Sequence, residues 1–206
     1  MAAGWTRRTF DADGVTEHPV GPNFQRLRSE FGGAVVLALD VSGSMSGDRI
    51  RKAVEGCHRF VEEAADAGYS VGVILWHHGI EDDVAPSSDP RAARGLLDRA
   101  RASGGNKAVP FLTKAHEQLM ALDVGDRVVA IFGDGDLGPQ AAAERKAAEL
   151  VADGIRILTC GLGEGSAREL ATISTEEAAP RTATNDTLAD SIASMAQGLT
   201  LKKSSR

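Results

Sequence analysis

The sequence contains, at residues 35–47, the stretch VVLALDVSGSMSG. Its apolar first half is typical of a buried strand that is covered on both faces. This strand pattern stops at Asp40, and Ser42 and Ser44 follow at alternate positions. Because alternate side chains of an extended segment point to one side, we expect one carboxylate and two hydroxyls to form a single polar patch.

Helical and strand patterns alternate along the chain after this stretch. Besides residues 34–39, buried-strand patterns lie at residues 70–76, 127–132 and 155–160. The alternation predicts an α/β fold of the Rossmann-like doubly wound type, with a mostly parallel central sheet and helices on both faces. The predicted helices span residues 48–67, 91–102, about 108–122, 139–153, 167–173 and 185–198, residues 181–184 form an edge strand, and residues 77–90 form a loop or a short edge strand.

Length and composition limit the classes of function. The chain has 206 residues with a net charge of −6, and an acidic chain lacks the basic face that nucleic-acid binding needs. No apolar run approaches the roughly 18 residues of a membrane span, and the first residues lack the apolar core of a signal peptide. We therefore expect a cytoplasmic protein with an N-terminal arm at residues 1–30, one domain at residues 31–200 and a flexible tail at residues 201–206.

A second acidic residue, Asp134, follows another long strand in the segment GDGDLG. The carboxyl ends of parallel strands lie at one edge of a sheet, so Asp134 and Asp40 are expected on the same rim. Two neighbouring carboxylates repel unless a positive charge lies between them, and Mg²⁺ prefers oxygen ligands of this kind. Each motif alone also fits an ordinary turn or helix cap, and it is the combination that favours a metal site.

The combination resembles the von Willebrand factor A (vWA) domain. The metal ion-dependent adhesion site of that family opens with Asp-x-Ser-x-Ser after the first strand, and residues 40–44 match it. The break at residues 104–105 resembles the family's Gly-Gly-Thr before a helix, and Asp134 with Gly135 resembles its later Asp-Gly. The resemblance covers about residues 33–200 and implies the vWA fold.

The resemblance also implies a set of metal ligands. Asn106 stands where the family has threonine, and its amide can offer a neutral oxygen. Lys107 follows where many relatives carry aspartate, so its ammonium either repels the cation, partly replaces it, or points into solvent. The implied ligands of Mg²⁺, or of Mn²⁺ or Ca²⁺, are Asp40, Ser42, Ser44, Asn106 and Asp134.

The function that the resemblance implies is a binding module and not an enzyme. In such domains the metal completes its coordination with an acidic side chain of a partner protein. Bacterial intracellular relatives act with other proteins, such as AAA+ ATPases and stress-response components. By analogy, a partner of that kind is expected here.

Two other functions stay open from the sequence. One is a degenerate vWA domain that binds partners without metal, which Asn106 and Lys107 favour. The other is a magnesium-dependent phosphatase similar to the haloacid dehalogenases, with a strand-end aspartate as nucleophile. That family has a second aspartate two residues later as general acid, where this chain has Ser42, while Lys107 and Lys114 are candidates for its phosphate-binding lysine.

Four further residues have simpler interpretations. Cys57 and Cys160 are predicted to be buried, reduced thiols because they lie far apart in a helical and a strand pattern. His77 and His78 are neighbours after the second strand, so their side chains are expected to point apart in a surface loop.

Overall fold

The computed structural model describes residues 32–200. The predicted N-terminal arm at residues 1–30 and the predicted tail at residues 201–206 lie outside the described residues. The boundaries of the domain therefore stay predictions.

The described strands form one six-stranded sheet with the order β3-β2-β1-β4-β5-β6. The strands are β1 (Gly33–Asp40), β2 (Tyr69–Trp76), β3 (Ile80–Ser87), β4 (Asp126–Gly133), β5 (Ile155–Leu162) and β6 (Arg181–Ala183). Strand β1 is parallel to both of its neighbours, and β3 pairs antiparallel with β2. The predicted α/β fold with a mostly parallel sheet is confirmed.

The helices follow the predicted positions with three differences in extent. They are α1 (Asp48–Asp66), α2 (Arg91–Leu97), α3 (Ala108–Met120), α4 (Gln140–Ala152), α5 (Glu164–Ala171), α6 (Leu188–Ser194) and α7 (Gln197–Thr200). Helix α2 ends earlier than predicted, because the backbone after it forms tighter turns than those of an α-helix. Beyond these turns, the Ser103 N–H donates to the Val41 carbonyl at 2.6 Å. Helix α5 begins three residues early, and the last predicted helix is divided into α6 and α7.

Strand β3 lies where the sequence predicted a loop or a short edge strand. It has eight residues and pairs with β2 from Trp76 opposite Ile80 to Val71 opposite Ser87. Acidic side chains and Pro86 on this strand suit an edge position, where they discourage pairing with another chain. The edge interpretation is therefore right, and the strand is longer than expected.

Both faces of the sheet carry an apolar core. On β1, Val35, Leu37 and Leu39 pack on the face that α1 covers, and the residues between them pack on the face that α3 covers. Cys57 and Cys160 are buried free cysteines in the first core, as predicted. Burial raises the pKa of both thiols, so these side chains act as apolar packing groups.

The direction of winding reverses between β1 and β4. From β1 the chain builds β2 and β3 on one side, and then returns through α2 and α3 to place β4 on the other side of β1. In open α/β sheets, ligands bind in the crevice outside the strand carboxyl ends at such a reversal. The loops that follow β1 and β4 line this crevice.

Candidate metal centre

The two acidic residues predicted for the site meet at this reversal. Asp40 is the last residue of β1, and Asp134 follows the last residue of β4. The Asp134 N–H donates to Asp40 Oδ2 at 3.2 Å. Asp40 is fully buried, whereas Asp134 is half-buried. The sheet itself thus holds the two carboxylates side by side.

The turn after β1 adds the two serine hydroxyls. The Asp40 Oδ1 atom accepts the Ser42 N–H at 2.8 Å, which folds the turn back over the strand end. The Oγ atoms of Ser42 and Ser44 lie 2.9 Å apart, and Ser44 Oγ donates to Asp134 Oδ2. Met45 is completely buried beneath the turn and anchors it to the core. The predicted polar patch is therefore formed.

Asn106 comes from a third loop and lies between the two carboxylates. Its Nδ2 atom donates to Asp134 Oδ1 at 2.9 Å and to Asp40 Oδ2 at 3.3 Å. The opposite amide orientation would place Oδ1 against both carboxylates, which would repel it. The loop is fixed by the Lys107 N–H on the His77 carbonyl at 2.8 Å. In this arrangement the amide hydrogens, and not the amide oxygen, face the acids.

The surroundings of Asp40 shift the pKa of its carboxyl group. Burial, together with the nearby charge of Asp134, raises the pKa of Asp40 from its usual value of 3.8 to about 6. The hydrogen bond from the Ser42 N–H opposes this rise. A buried acid next to a second acid is stabilised by a nearby positive charge. The site is therefore favourable for a cation.

The donor set fits a hard divalent cation. It consists of two carboxylates, two hydroxyls and one amide, which are the oxygen donors that magnesium prefers. Neighbouring ligands of an octahedral magnesium ion lie about 2.9 Å apart, and the two serine oxygens have this 2.9 Å separation. No group of three or more His, Cys, Asp or Glu side chains able to hold a metal occurs within residues 32–200. A cation here would depend on the hydroxyl and amide donors as well as the acids.

The structure brings all five predicted residues into one hydrogen-bonded cluster. Their role as metal ligands stays a prediction. Sequence reasoning did not find Ser166, whose Oγ donates to the Asp134 carbonyl at 2.5 Å from the start of α5. The only signal for it was the segment GLGEGS after β5, which does not indicate a contact with β4.

Three consecutive aromatic residues, Trp76, His77 and His78, lie at the end of β2 beside the site. Trp76 is a packing group, buried against Phe111 with 4.4 Å between ring centroids. The expectation for the histidines was wrong in part, because the His77 and His78 rings stack 4.2 Å apart and His77 is buried. Strand β2 ends at Trp76, so the chain bends here and strand alternation no longer separates the two rings.

Comparison with known proteins shows which family this chain resembles. The family model described as von Willebrand factor type A domain matches residues 34–197. A relative, inter-alpha-trypsin inhibitor heavy chain H3 of Rattus norvegicus, is 26% identical over 133 residues, covering 59% of this chain and 15% of the relative. This chain thus corresponds to only a small part of that protein's length.

Solved structures with the same fold come from several bacteria. The vWF domain of the type V pili tip protein Mfa5 from Porphyromonas gingivalis has a TM-score of 0.76 at 14% identity, covering 84% of this chain and 96% of that chain. Pilus adhesin SpaC from Lactobacillus rhamnosus GG has a TM-score of 0.70 at 15% identity, and the match covers 82% of this chain and 30% of that chain. The von Willebrand factor type A from Catenulispora acidiphila has a TM-score of 0.63 at 20% identity, and the match covers 80% of this chain and 42% of that chain. At these identities the likeness supports the fold alone.

Among the described helices, none combines the length and the apolar character that crossing a bilayer requires.

Proposed function

The chain belongs to the von Willebrand factor type A domain family, and from this premise we propose that it is a metal-dependent protein-binding module. Domains of this family typically mediate adhesion and protein–protein interaction. The side chains that would hold Mg²⁺, or Mn²⁺ or Ca²⁺ in its place, are Asp40, Ser42, Ser44, Asn106 and Asp134. When bound, the cation supplies a positive centre that attracts the acidic side chain of a partner protein.

One observation carries this proposal. Side chains from three separate loops converge on the two carboxylates at the reversal of the sheet, and each is hydrogen-bonded to another member of the cluster. Asp40 and Asp134 supply the charge, Ser42 and Ser44 supply neutral oxygens, and Asn106 spans the acids. A cluster that kept the two acids together without any use for a cation would carry the cost of their repulsion.

We propose further that the chain is not an enzyme. In a phosphatase of the haloacid dehalogenase kind Asp40 would be the nucleophile, yet its side chain is fully buried and hydrogen-bonded. Lys114 pairs with Asp83 on β3 at 3.3 Å, away from the carboxylates. Both observations oppose phosphoryl transfer at this site.

The partner is proposed to be a protein with an exposed acidic side chain. A partner that is an AAA+ ATPase or a stress-response component, in a bacterial cytoplasm, stays part of the proposal. The structural neighbours Mfa5 and SpaC are described as a pilus tip protein and a pilus adhesin, respectively. The description of SpaC as an adhesin supports the general class of function, which is protein binding.

A degenerate domain that binds partners without metal is the second candidate. The observation in its favour is the Asn106 amide, whose hydrogens already bridge the carboxylates of Asp40 and Asp134. A bridging donor of this kind relieves part of the repulsion that a cation would otherwise relieve. Metal titration separates the two candidates.

Calorimetric titration of Mg²⁺ and then Mn²⁺ into chelator-treated protein tests the proposal. We expect saturable binding that Asp40→Ala and Asp134→Ala each abolish while the circular dichroism spectrum stays unchanged. Asp48→Ala is the matched control, because this exposed acid at the start of α1 is held only by surface ion pairs. Normal binding by both Asp40→Ala and Asp134→Ala would place any metal elsewhere, and no binding by the unaltered chain would favour the degenerate domain.

A further inference from the structure

Two exposed basic side chains beside the candidate metal centre have no acidic partner within the described residues. Arg49, in the first turn of α1, donates from Nη1 to the Ser44 carbonyl at 3.1 Å. No carboxylate of residues 32–200 lies within ion-pair distance of Arg49 or of Lys107. Many of the other basic side chains of the domain are paired, as Arg91 is with Asp89 at 2.6 Å.

Arg49 borders a cleft of about 230 Å³ that is lined by Ser46, Asp48, Arg49, Lys52 and Asn185. The other charged side chains at this cleft already have partners. Asp48 pairs with Arg51 at 2.8 Å and with Lys52 at 3.6 Å. Lys52 also donates to the Asn185 carbonyl at 2.8 Å and lies 3.8 Å from Asp186. The Arg49 guanidinium is thus the group at this cleft that can still take up a carboxylate.

Lys107 lies on a different loop, directly after Asn106. Its backbone N–H is fixed on the His77 carbonyl, and its side chain is exposed over Gly138, where a Cβ atom would lie 3.4 Å from Lys107 Cγ. The interpretation that this side chain points into solvent agrees with its exposure. Asp136 lies two residues before Gly138 in the sequence, and its Oδ1 accepts the Gly138 N–H at 2.9 Å.

The charge at this rim differs from that of the whole chain. The chain carries a net charge of −6. A divalent cation would balance Asp40 and Asp134, and the charges without an ion-pair partner beside them include two basic groups, Arg49 and Lys107, and two acids, Asp136 and Glu169. The Glu169 carboxylate lies near Gly135, where a Cβ atom would be 3.3 Å from its Oε2, so these exposed charges of the rim balance. Exposed charges without partners add little to stability but raise the rate and selectivity of association with an oppositely charged surface.

We propose that the partner segment carries at least two carboxylates, one directed at the metal centre and a second that pairs with Arg49 in the adjacent cleft, with Lys107 adding attraction from the other loop. This inference rests on the proposed metal-dependent function. The planar guanidinium of Arg49 can bind a carboxylate through two parallel hydrogen bonds. An extended segment with acids at alternate positions presents both to one side, about 7 Å apart.

Two short fluorescent peptides test the proposal by anisotropy in magnesium at low ionic strength. Both have a glycine–serine background, one with a single glutamate and one with two glutamates at alternate positions. We expect the chain to bind the two-glutamate peptide about fivefold more tightly. Arg49→Gln should reduce this preference to less than about twofold, and Lys107→Gln should weaken binding of both peptides.

Arg91→Gln is the matched control. It removes the same charge from the start of α2, which follows the antiparallel strand β3 and so lies at the opposite end of the sheet. Arg91→Gln should keep the full preference for two glutamates. Each variant is also titrated with Mn²⁺, and Arg49→Gln should bind the metal as the unaltered chain does.

The outcomes separate this inference from the proposed function. Metal-dependent binding of both peptides without a preference, or a preference that survives in Arg49→Gln, overturns the inference and leaves the proposed function intact. Equal binding in magnesium and in chelator, or no binding of either peptide, overturns both.

Discussion

Asn106 is the residue that joins the two carboxylates of the candidate metal centre. Its Nδ2 atom donates to both Asp40 and Asp134 and lies 3.3 and 2.9 Å from their oxygens. Hydrogen bonds to charged groups contribute more than neutral ones, so this amide stabilises the metal-free centre. It also has to present its oxygen, or leave, before a cation can bind. We therefore expect Asn106 to set the balance between the metal-free domain and the proposed metal-loaded domain.

We expect Asn106→Thr to tighten metal binding and to destabilise the metal-free domain. Threonine offers a hydroxyl oxygen but cannot bridge two carboxylates through two amide hydrogens. The loss should be about 2 kcal/mol in the free energy of unfolding in chelator. Calorimetry and thermal unfolding measure the two effects, with Asn185→Thr as a control at an exposed position. Unchanged metal affinity would mean that residue 106 is not near the ion.

The titration of Asp40 should make the metal-free domain less stable as pH rises. Its pKa is raised to about 6 in the folded chain from 3.8, so the folded state holds the proton more tightly than the unfolded state. The unfolding free energy therefore falls between about pH 4 and pH 6, by at most about 3 kcal/mol, and is level above that range. Urea unfolding in chelator measures this change, and Asp40→Asn provides the reference that lacks the group. A difference between the two chains that does not vary with pH would contradict the prediction.

For single residues, the sequence predicted which side chains meet at the site, but not which end of the Asn106 amide faces the carboxylates. The spacing of Asp40, Ser42 and Ser44 is local, so strand alternation and a turn are enough to foresee the patch. The direction of the Asn106 amide depends on two carboxylates that lie 66 and 28 positions away along the chain. Only the assembled sheet supplies that information.

Among the secondary-structure elements, α7 is attached to the sheet by a polar network. The Tyr69 hydroxyl at the start of β2 lies 2.6 Å from Asp126 Oδ2 and 2.9 Å from the Leu199 carbonyl. Arg156 donates to both oxygens of Asp126 and to the Gly198 carbonyl at 3.0 Å. Burial raises the pKa of Tyr69, with the hydrogen bond to Asp126 adding to the shift, so this hydroxyl stays neutral.

We expect Tyr69→Phe to lower the free energy of unfolding by about 1–2 kcal/mol, because a buried hydrogen-bonded hydroxyl is lost. Metal affinity should not change, since Tyr69 begins β2 at the end of the sheet opposite Asp40. Chemical denaturation and calorimetry check the two parts. A chain of unaltered stability, or one with altered metal affinity, would contradict this description of the network.

Element types were easier to predict than element limits. The central strands are continuous apolar runs, which identify a sheet covered on both faces. Strand β3 was harder, because its acids and Pro86 suit a loop as well as an edge strand, and only pairing with β2 distinguishes them. The division between α6 and α7 reflects shortened turns such as the Met195 N–H on the Ile192 carbonyl at 3.1 Å, which apolar periodicity does not reveal.

For the whole molecule, the order of the strands is what creates the site. Alternating strands and helices predict parallel pairing, yet several strand orders satisfy that pattern. In the observed order β1 lies between β2 and β4, so Asp40 and Asp134 become neighbours. The positions of Asp40 and Asp134 at strand ends predicted that both acids lie on one rim, but apolar patterns leave the order of the strands open.

Because a ligand that binds only the folded state stabilises it, magnesium should raise the melting temperature of the whole domain. At a concentration about 100 times the dissociation constant the gain is about 2.7 kcal/mol, or roughly 5–10 °C for a domain of this size. Differential scanning calorimetry measures the shift. Asp40→Ala should show no shift, and an equal shift in that variant would indicate binding outside the centre.

The most direct test of the metal centre is the anomalous scattering of Mn²⁺ in crystals of the chain grown with manganese. The account predicts one strong peak in coordination contact with the oxygens of Ser42, Ser44 or Asp134, with the Asn106 Nδ2 no longer bridging the two carboxylates. Crystals that show no peak there, and in which the amide still spans Asp40 and Asp134, would contradict it.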